Sequence, residues 1–120
     1  MDEEIDLNMH SEGEVSVVSF QARSISDYNG ISAASEKIRK FVEENSPRAV
    51  VFDFGQVKFF SSQVLGLLLE IRARLKSSES EVVISSIDPQ LYRVFKITNL
   101  DKIFRFFDSK EKAIEALAVG

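Results

Sequence analysis

Along residues 5–10 the apolar side chains of Ile5, Leu7 and Met9 alternate with Asp6, Asn8 and His10, the period-2 pattern of a strand buried on one face. Ser11-Glu12-Gly13-Glu14 supplies turn chemistry, and residues 15–20 (VSVVSF) form a second strand placed to close a hairpin with the first. From Asp27 the period lengthens. Ala34, Ile38, Phe41 and Val42 recur at helical spacing up to Asn45, with Asp27 or Ser26 as the cap and Gly30 weakening the first turn. Pro47 ends this helix.

Residues 49–54 (AVVFDF) are an almost unbroken apolar run, which suits a central strand buried on both faces. Gly55 to Phe60 reads as a turn and a short extended piece. Val64, Leu67, Leu68, Ile71 and Leu75 then fall at i, i+3, i+4, i+7 and i+11, one face of a long helix that Ser77-Ser78-Glu79-Ser80 breaks. Residues 81–85 (EVVIS) form another strand. Asp88-Pro89 opens a helix as cap and first residue, with Leu91, Val94 and Phe95 on its inner face. Residues 103–107 (IFRFF) read as the last strand. Ser109 caps a closing helix whose inner face is Ala113, Ile114, Leu117 and Ala118.

The predicted order is ββαβαβαβα. Strands alternating with helices require right-handed crossovers, so the fold is α/β. It has a mixed, mostly parallel sheet of about five short strands, four helices and an antiparallel hairpin at one edge. No repeat, low-complexity tract or Pro/Gly-rich linker interrupts the 120 residues, which read as one domain, 1–120, with residues 1–4 frayed.

Composition narrows the chemistry. Apolar residues make up 44% and charged residues 28%, enough to build a core without staples. The absence of cysteine removes disulfides, thiolate metal sites and cysteine nucleophiles, and fits a reducing compartment. With one histidine, His10, and no clustered carboxylates, a transition-metal site is not expected. A net charge of −4, with the 15 Lys and Arg dispersed among acidic neighbours, argues against direct nucleic-acid binding. The acidic Met1-Asp2-Glu3-Glu4 start is unlike a signal peptide, and no apolar stretch approaches the ~20 residues that span a bilayer. The expectation is a cytoplasmic protein with no membrane insertion.

Sites in such a sheet lie where strands end and helices begin. No junction carries GxGxxG, GxxxxGK[ST] or GxSxG, so neither a cofactor nor a catalytic residue is assigned and an enzyme is not expected. One junction differs. Phe60-Ser61-Ser62-Gln63-Val64-Leu65-Gly66 delivers two hydroxyls at the start of an apolar helix. Ser61 or Ser62 serves there as a cap. The same place favours added negative charge: a phosphoserine brings about −1.5 to −2 charges, which the helix dipole stabilises by ~0.3–1 kcal/mol. Gly66, inside the helix, costs ~1 kcal/mol relative to Ala, so either another backbone or a partner approaches it.

These residues carry a family resemblance. Val50-Val51-Phe52-Asp53-Phe54 through Val57-Lys58-Phe59-Phe60-Ser61-Ser62-Gln63-Val64-Leu65-Gly66 is similar to the DLSxVxFxDSSGLGxLL pattern of STAS domains, the fold of bacterial anti-sigma factor antagonists. Asp88-Pro89 with Val94-Phe95-Lys96-Ile97-Thr98-Asn99-Leu100 resembles a second family stretch. Phe104 to Phe107, followed by Ser109-Lys110-Glu111-Lys112-Ala113, resembles a third. The likeness runs from about Ile5 to Ala118.

The resemblance implies a protein that binds an anti-sigma factor, typically a serine/threonine kinase, and so frees a sigma factor for transcription. That kinase would phosphorylate Ser62, with Ser61 as substitute, and a serine phosphatase would reverse it. The implied partner surface comprises Asp27, Phe60, Ser61, Ser62, Gln63, Leu65 and Gly66. The chain departs from the pattern at Ser61, where the family has an acidic residue, and at Val64, where it has glycine. A scaffold or transport-associated STAS domain that never cycles phosphate is the alternative. Small-molecule binding at the sheet-end cleft is a third reading, supported by the fold alone.

Overall fold

A computed structural model describes residues 5–118; the frayed segment expected at residues 1–4 lies outside them. The chain runs β1 (Leu7–Glu12), β2 (Val15–Phe20), β3 (Ser24–Ile25), α1 (Tyr28–Asn45), β4 (Ala49–Asp53), β5 (Phe59–Phe60) and α2 (Ser62–Lys76). It continues through β6 (Glu81–Ser85), α3 (Pro89–Ile97), a 3-10 turn at Leu100–Lys102, β7 (Arg105–Phe107) and α4 (Lys110–Ala118). Five strands form one sheet in the order β1-β2-β4-β6-β7, antiparallel at β1-β2 and parallel elsewhere. This is the predicted ββαβαβαβα architecture. The additional strands β3 and β5 pair as a separate parallel ribbon.

Element boundaries moved where local bonding overrode the hydropathy pattern. The first strand extends to Glu12, so the hairpin turn contracts to Gly13-Glu14, and Gly13 supplies the positive φ (+63°) that so tight a turn needs. The last strand begins at Arg105, not Ile103. The 3-10 turn draws the amides of Ile103 and Phe104 back to the Leu100 carbonyl, at 3.0 and 3.2 Å. α1 ends as expected before Pro47, with Ser46 in the left-handed region donating its amide to the Val42 carbonyl at 2.9 Å.

The central strand is buried on both faces, as its composition requires. Val50 and Phe52 face α1, α2 and α3, packing with Ile38, Leu68, Ile71 and Phe95. Ala49 and Val51 face α4, packing with Ala113 and Leu117. One inner-face expectation fails, at Ala118, which is exposed at the end of α4; Phe41, Val94 and Ile114 are half-buried. Because β2, β4, β6 and β7 are added in sequence order, the sheet has no point where winding reverses. The crevice of a doubly wound dinucleotide fold is therefore not formed.

Candidate functional site

The β3-β5 ribbon positions the site. Ser24 pairs with Phe59 and Ile25 with Phe60, so the loop before α1 is bonded to the loop before α2. The Arg23 carbonyl accepts the Lys58 and Phe59 amides at 2.7 and 3.1 Å, and the Ile25 carbonyl accepts the Ser61 amide at 2.9 Å. The starts of the two helices are thereby held side by side. A second tie crosses between them: the Gln63 side-chain amide donates to the Tyr28 carbonyl at 3.2 Å and to Ser32 Oγ at 3.4 Å.

The two serines are not equivalent. Ser61 is the N-cap of α2, with extended φ and ψ (−82°, 163°), but its side chain makes no capping bond. Its carbonyl accepts the Val64 amide at 3.0 Å, while its Oγ is sealed from solvent and has no hydrogen-bond partner among the described residues. Ser62 is the first residue inside α2 and is exposed. No acidic residue occupies that first turn, so the positive end of the helix dipole is not offset there by a carboxylate of α2.

Asp27 caps α1, as its position suggested, accepting the Gly30 amide at 2.7 Å. Its half-buried carboxylate already has a structural role. Phe60 and Leu65, expected on the partner-facing surface, turn inward and are 6% and 7% exposed. Phe60 belongs to an edge-to-face aromatic series, 5.8 Å from Phe54 and 6.0 Å from Phe95 between ring centroids. Strand alternation sends its neighbour Phe59 outward, 54% exposed, and Tyr28 at the start of α1 is 71% exposed. Both aromatics were missed in the sequence. A two-residue strand has no periodicity from which to tell which of Phe59 and Phe60 points out, and Tyr28 precedes the helix's buried stripe.

Gly66 is exposed, and a Cβ built on it would meet nothing within 4 Å. Close packing by another of the described residues is therefore not why a glycine sits there. Gly66 and Gln63 line one side of a groove between α1 and α2, with Ser32, Ser35 and Glu36 opposite. Near the same pole, Asp88 caps α3 through the Gln90 amide (2.9 Å) and pairs with Lys58 at 3.2 Å. The Gln90 bond first, and then Lys58, hold its carboxyl below the usual carboxylate range.

The STAS domain family profile matches residues 7–113, and the chain belongs to that family. BtrV of Bordetella bronchiseptica, named as a candidate anti-sigma factor antagonist, is 30% identical over 73 residues; the match spans 61% of this chain and 63% of BtrV. An anti-sigma factor antagonist of Mycobacterium paratuberculosis is similar in structure, with TM-score 0.79 and 28% identity over 97% of each chain. The anti-sigma factor antagonist SpoIIAA in its unphosphorylated form superposes with TM-score 0.83 over 96% of this chain and 98% of its own, at 16% identity, a likeness of fold. No helix among the described residues is long and apolar enough to cross a membrane.

Proposed function

We propose that this protein is an anti-sigma factor antagonist whose binding surface is the paired helix starts of α1 and α2, and that a phosphate on Ser62 turns that binding off. One observation carries the reading. Of the two hydroxyl residues at the start of α2, Ser62 is exposed in a turn without carboxylates, while the Ser61 oxygen is sealed. The names of the relatives favour the antagonist class.

In the proposed cycle the anti-sigma factor, a serine kinase, covers Ser62 with Tyr28, Phe59, Gln63 and Gly66 around it. The γ-phosphoryl group of ATP passes to Ser62 Oγ, ADP leaves, and the hydroxyl proton goes to a base of the kinase. The fold tolerates the new charge because it stands at the positive end of the α2 dipole, in a first turn that holds no carboxylate. The partner does not tolerate it, because the phosphate stands in the surface that was covered. A phosphatase restores the binding form.

The test uses the full chain, its cognate serine kinase and ATP, read by intact mass. The wild type is expected to gain one phosphoryl group, Ser62→Ala none, and Ser61→Ala one. Ser62→Asp is expected to lose kinase binding with an unchanged melting curve. Phosphorylation of Ser62→Ala, or unfolding of Ser62→Asp, removes the proposal. A wild type that binds its partner without ever accepting phosphate favours a non-cycling scaffold.

A further inference from the structure

Asn29-Gly30 is the only Asn-Gly pair in the sequence, and it falls in the first turn of α1. A glycine after asparagine leaves the next backbone nitrogen unshielded by any side chain and free to rotate. That nitrogen can then attack the asparagine side-chain carbonyl carbon and close a five-membered imide ring. Ring closure needs an Asn29 ψ outside the helical range, so the first turn must open before the atoms can meet.

The structure restrains both reacting partners. The Gly30 amide donates to Asp27 Oδ2 at 2.7 Å, a short bond to a carboxylate. The next amide, of Ile31, donates to the Asp27 carbonyl at 2.9 Å. Asp27 thus holds the turn by both its side chain and its backbone, with Asn29 helical between the two bonds. Asn29 itself is exposed while Gly30 is buried. Water reaches the side chain that would react, and the nucleophilic nitrogen is withheld by the cap.

We propose that Asn29 is a site of spontaneous deamidation that the Asp27 cap keeps closed. When the turn opens, the Gly30 nitrogen gives its proton to solvent base and its electron pair forms a bond to Asn29 Cγ. The Cγ–Nδ2 bond breaks, and the departing nitrogen takes a proton from water and leaves as ammonia. Water then opens the imide at either carbonyl, giving aspartate or isoaspartate at position 29. Both products place a new carboxylate beside Tyr28. Isoaspartate also adds a carbon to the main chain next to Tyr28, whose carbonyl accepts Gln63 at 3.2 Å. If the paired helix starts are the docking surface, as proposed above, that product loosens their tie irreversibly; the chemistry itself does not depend on that reading.

The test follows conversion of the full chain at mildly alkaline pH by intact mass and peptide mapping. No partner is present, so its outcome is independent of the Ser62 switch. The wild type in urea is expected to convert at Asn29 several-fold faster than the folded wild type, because the turn is then open. Folded Asp27→Ala is expected to convert about fivefold faster than wild type, the rise in open turns that loss of one capping bond produces. Asp27→Ser, which keeps a capping oxygen, should stay near the wild-type rate. Asp88→Ala, which removes the cap of α3 instead, should leave Asn29 at the wild-type rate. Equal rates with and without urea, an unchanged rate in Asp27→Ala, a rate in Asp27→Ser as high as in Asp27→Ala, or an equal rise in Asp88→Ala would each overturn the assignment.

Discussion

The Gln63 side chain joins α2 to α1 by donating to the Tyr28 carbonyl at 3.2 Å, one residue beyond the proposed phosphate acceptor and one beyond the α1 cap. With the β3-β5 ribbon it makes the two helix starts a single surface. Gln63→Ala removes this bond and the longer one to Ser32 while leaving the core untouched. A neutral bond of this kind contributes ~0.5–1.5 kcal/mol. Urea unfolding is expected to show a loss within that range, with faster amide exchange confined to the first turns of α1 and α2. Unchanged exchange at Tyr28 and Ser32 would show that the ribbon alone holds the surface together.

Phe60→Ala tests the inward placement of a residue first read as part of the binding surface. Its ring packs between Phe54 and Phe95. Truncation is expected to cost ~3–5 kcal/mol in chemical denaturation, the usual range for a buried aromatic. Phe59→Ala, at its exposed neighbour, is expected to change stability by less than ~0.5 kcal/mol. Equal losses at the two positions would contradict the alternation seen in β5.

The fold was legible because its signals are local and repeated. The helical spacing from Val64 to Leu75, the Asp88-Pro89 start and the apolar run through Val50 and Phe52 each had one reading, and all are found in the structure. The site was legible as a place in the chain but not as a set of side chains. Asp27, Ser62 and Gln63 are brought together by a ribbon of two residues per strand, too short to leave a pattern. The outward turn of Phe59 and the inward turn of Phe60 follow from the register of that ribbon, which depends on contacts distant in sequence. The sealed oxygen of Ser61 was illegible for the same reason: by sequence, both serines were equally good caps.

Asp88 gives the expected pH dependence. Its folded-state pKa lies below the unfolded value, through the Gln90 amide and Lys58, so it contributes stability while ionised in both states. That contribution is present above the ordinary carboxylate pKa of about 3.9 and is lost as pH falls through the lowered folded value. Asp88→Ala should therefore be less stable than the wild type at pH 7, with the gap narrowing below about pH 4. Urea unfolding of both proteins at pH 7 and pH 2.5 checks this. A gap that stays constant would mean that the carboxyl is not held by its charge.

Gly66→Ala is expected to stabilise the isolated protein by ~1 kcal/mol, since the new methyl group enters open space and the helix gains a better former. The same substitution is expected to weaken binding of the partner, which in the proposed surface lies against this turn of α2. Thermal unfolding and partner titration on one sample separate the two effects. A variant that is more stable and binds equally well would leave the glycine without a role in docking.

Ser61→Ala discriminates most sharply between a cap and a sealed hydroxyl. Removing a serine that caps a helix with its side chain costs ~1 kcal/mol. Ser61 occupies the cap position, yet its oxygen neither bonds the first-turn amides nor reaches solvent, and its carbonyl serves α2 regardless of side chain. Removal of a buried hydroxyl without a partner relieves a desolvation penalty of ~1–3 kcal/mol, partly offset by lost contacts. Ser61→Ala is therefore expected to raise stability by about 1 kcal/mol. Ser62→Ala, at an exposed position, should leave it within ~0.5 kcal/mol. Measured destabilisation of Ser61→Ala would mean that its hydroxyl does cap α2, and the distinction drawn between the two serines would fail with it.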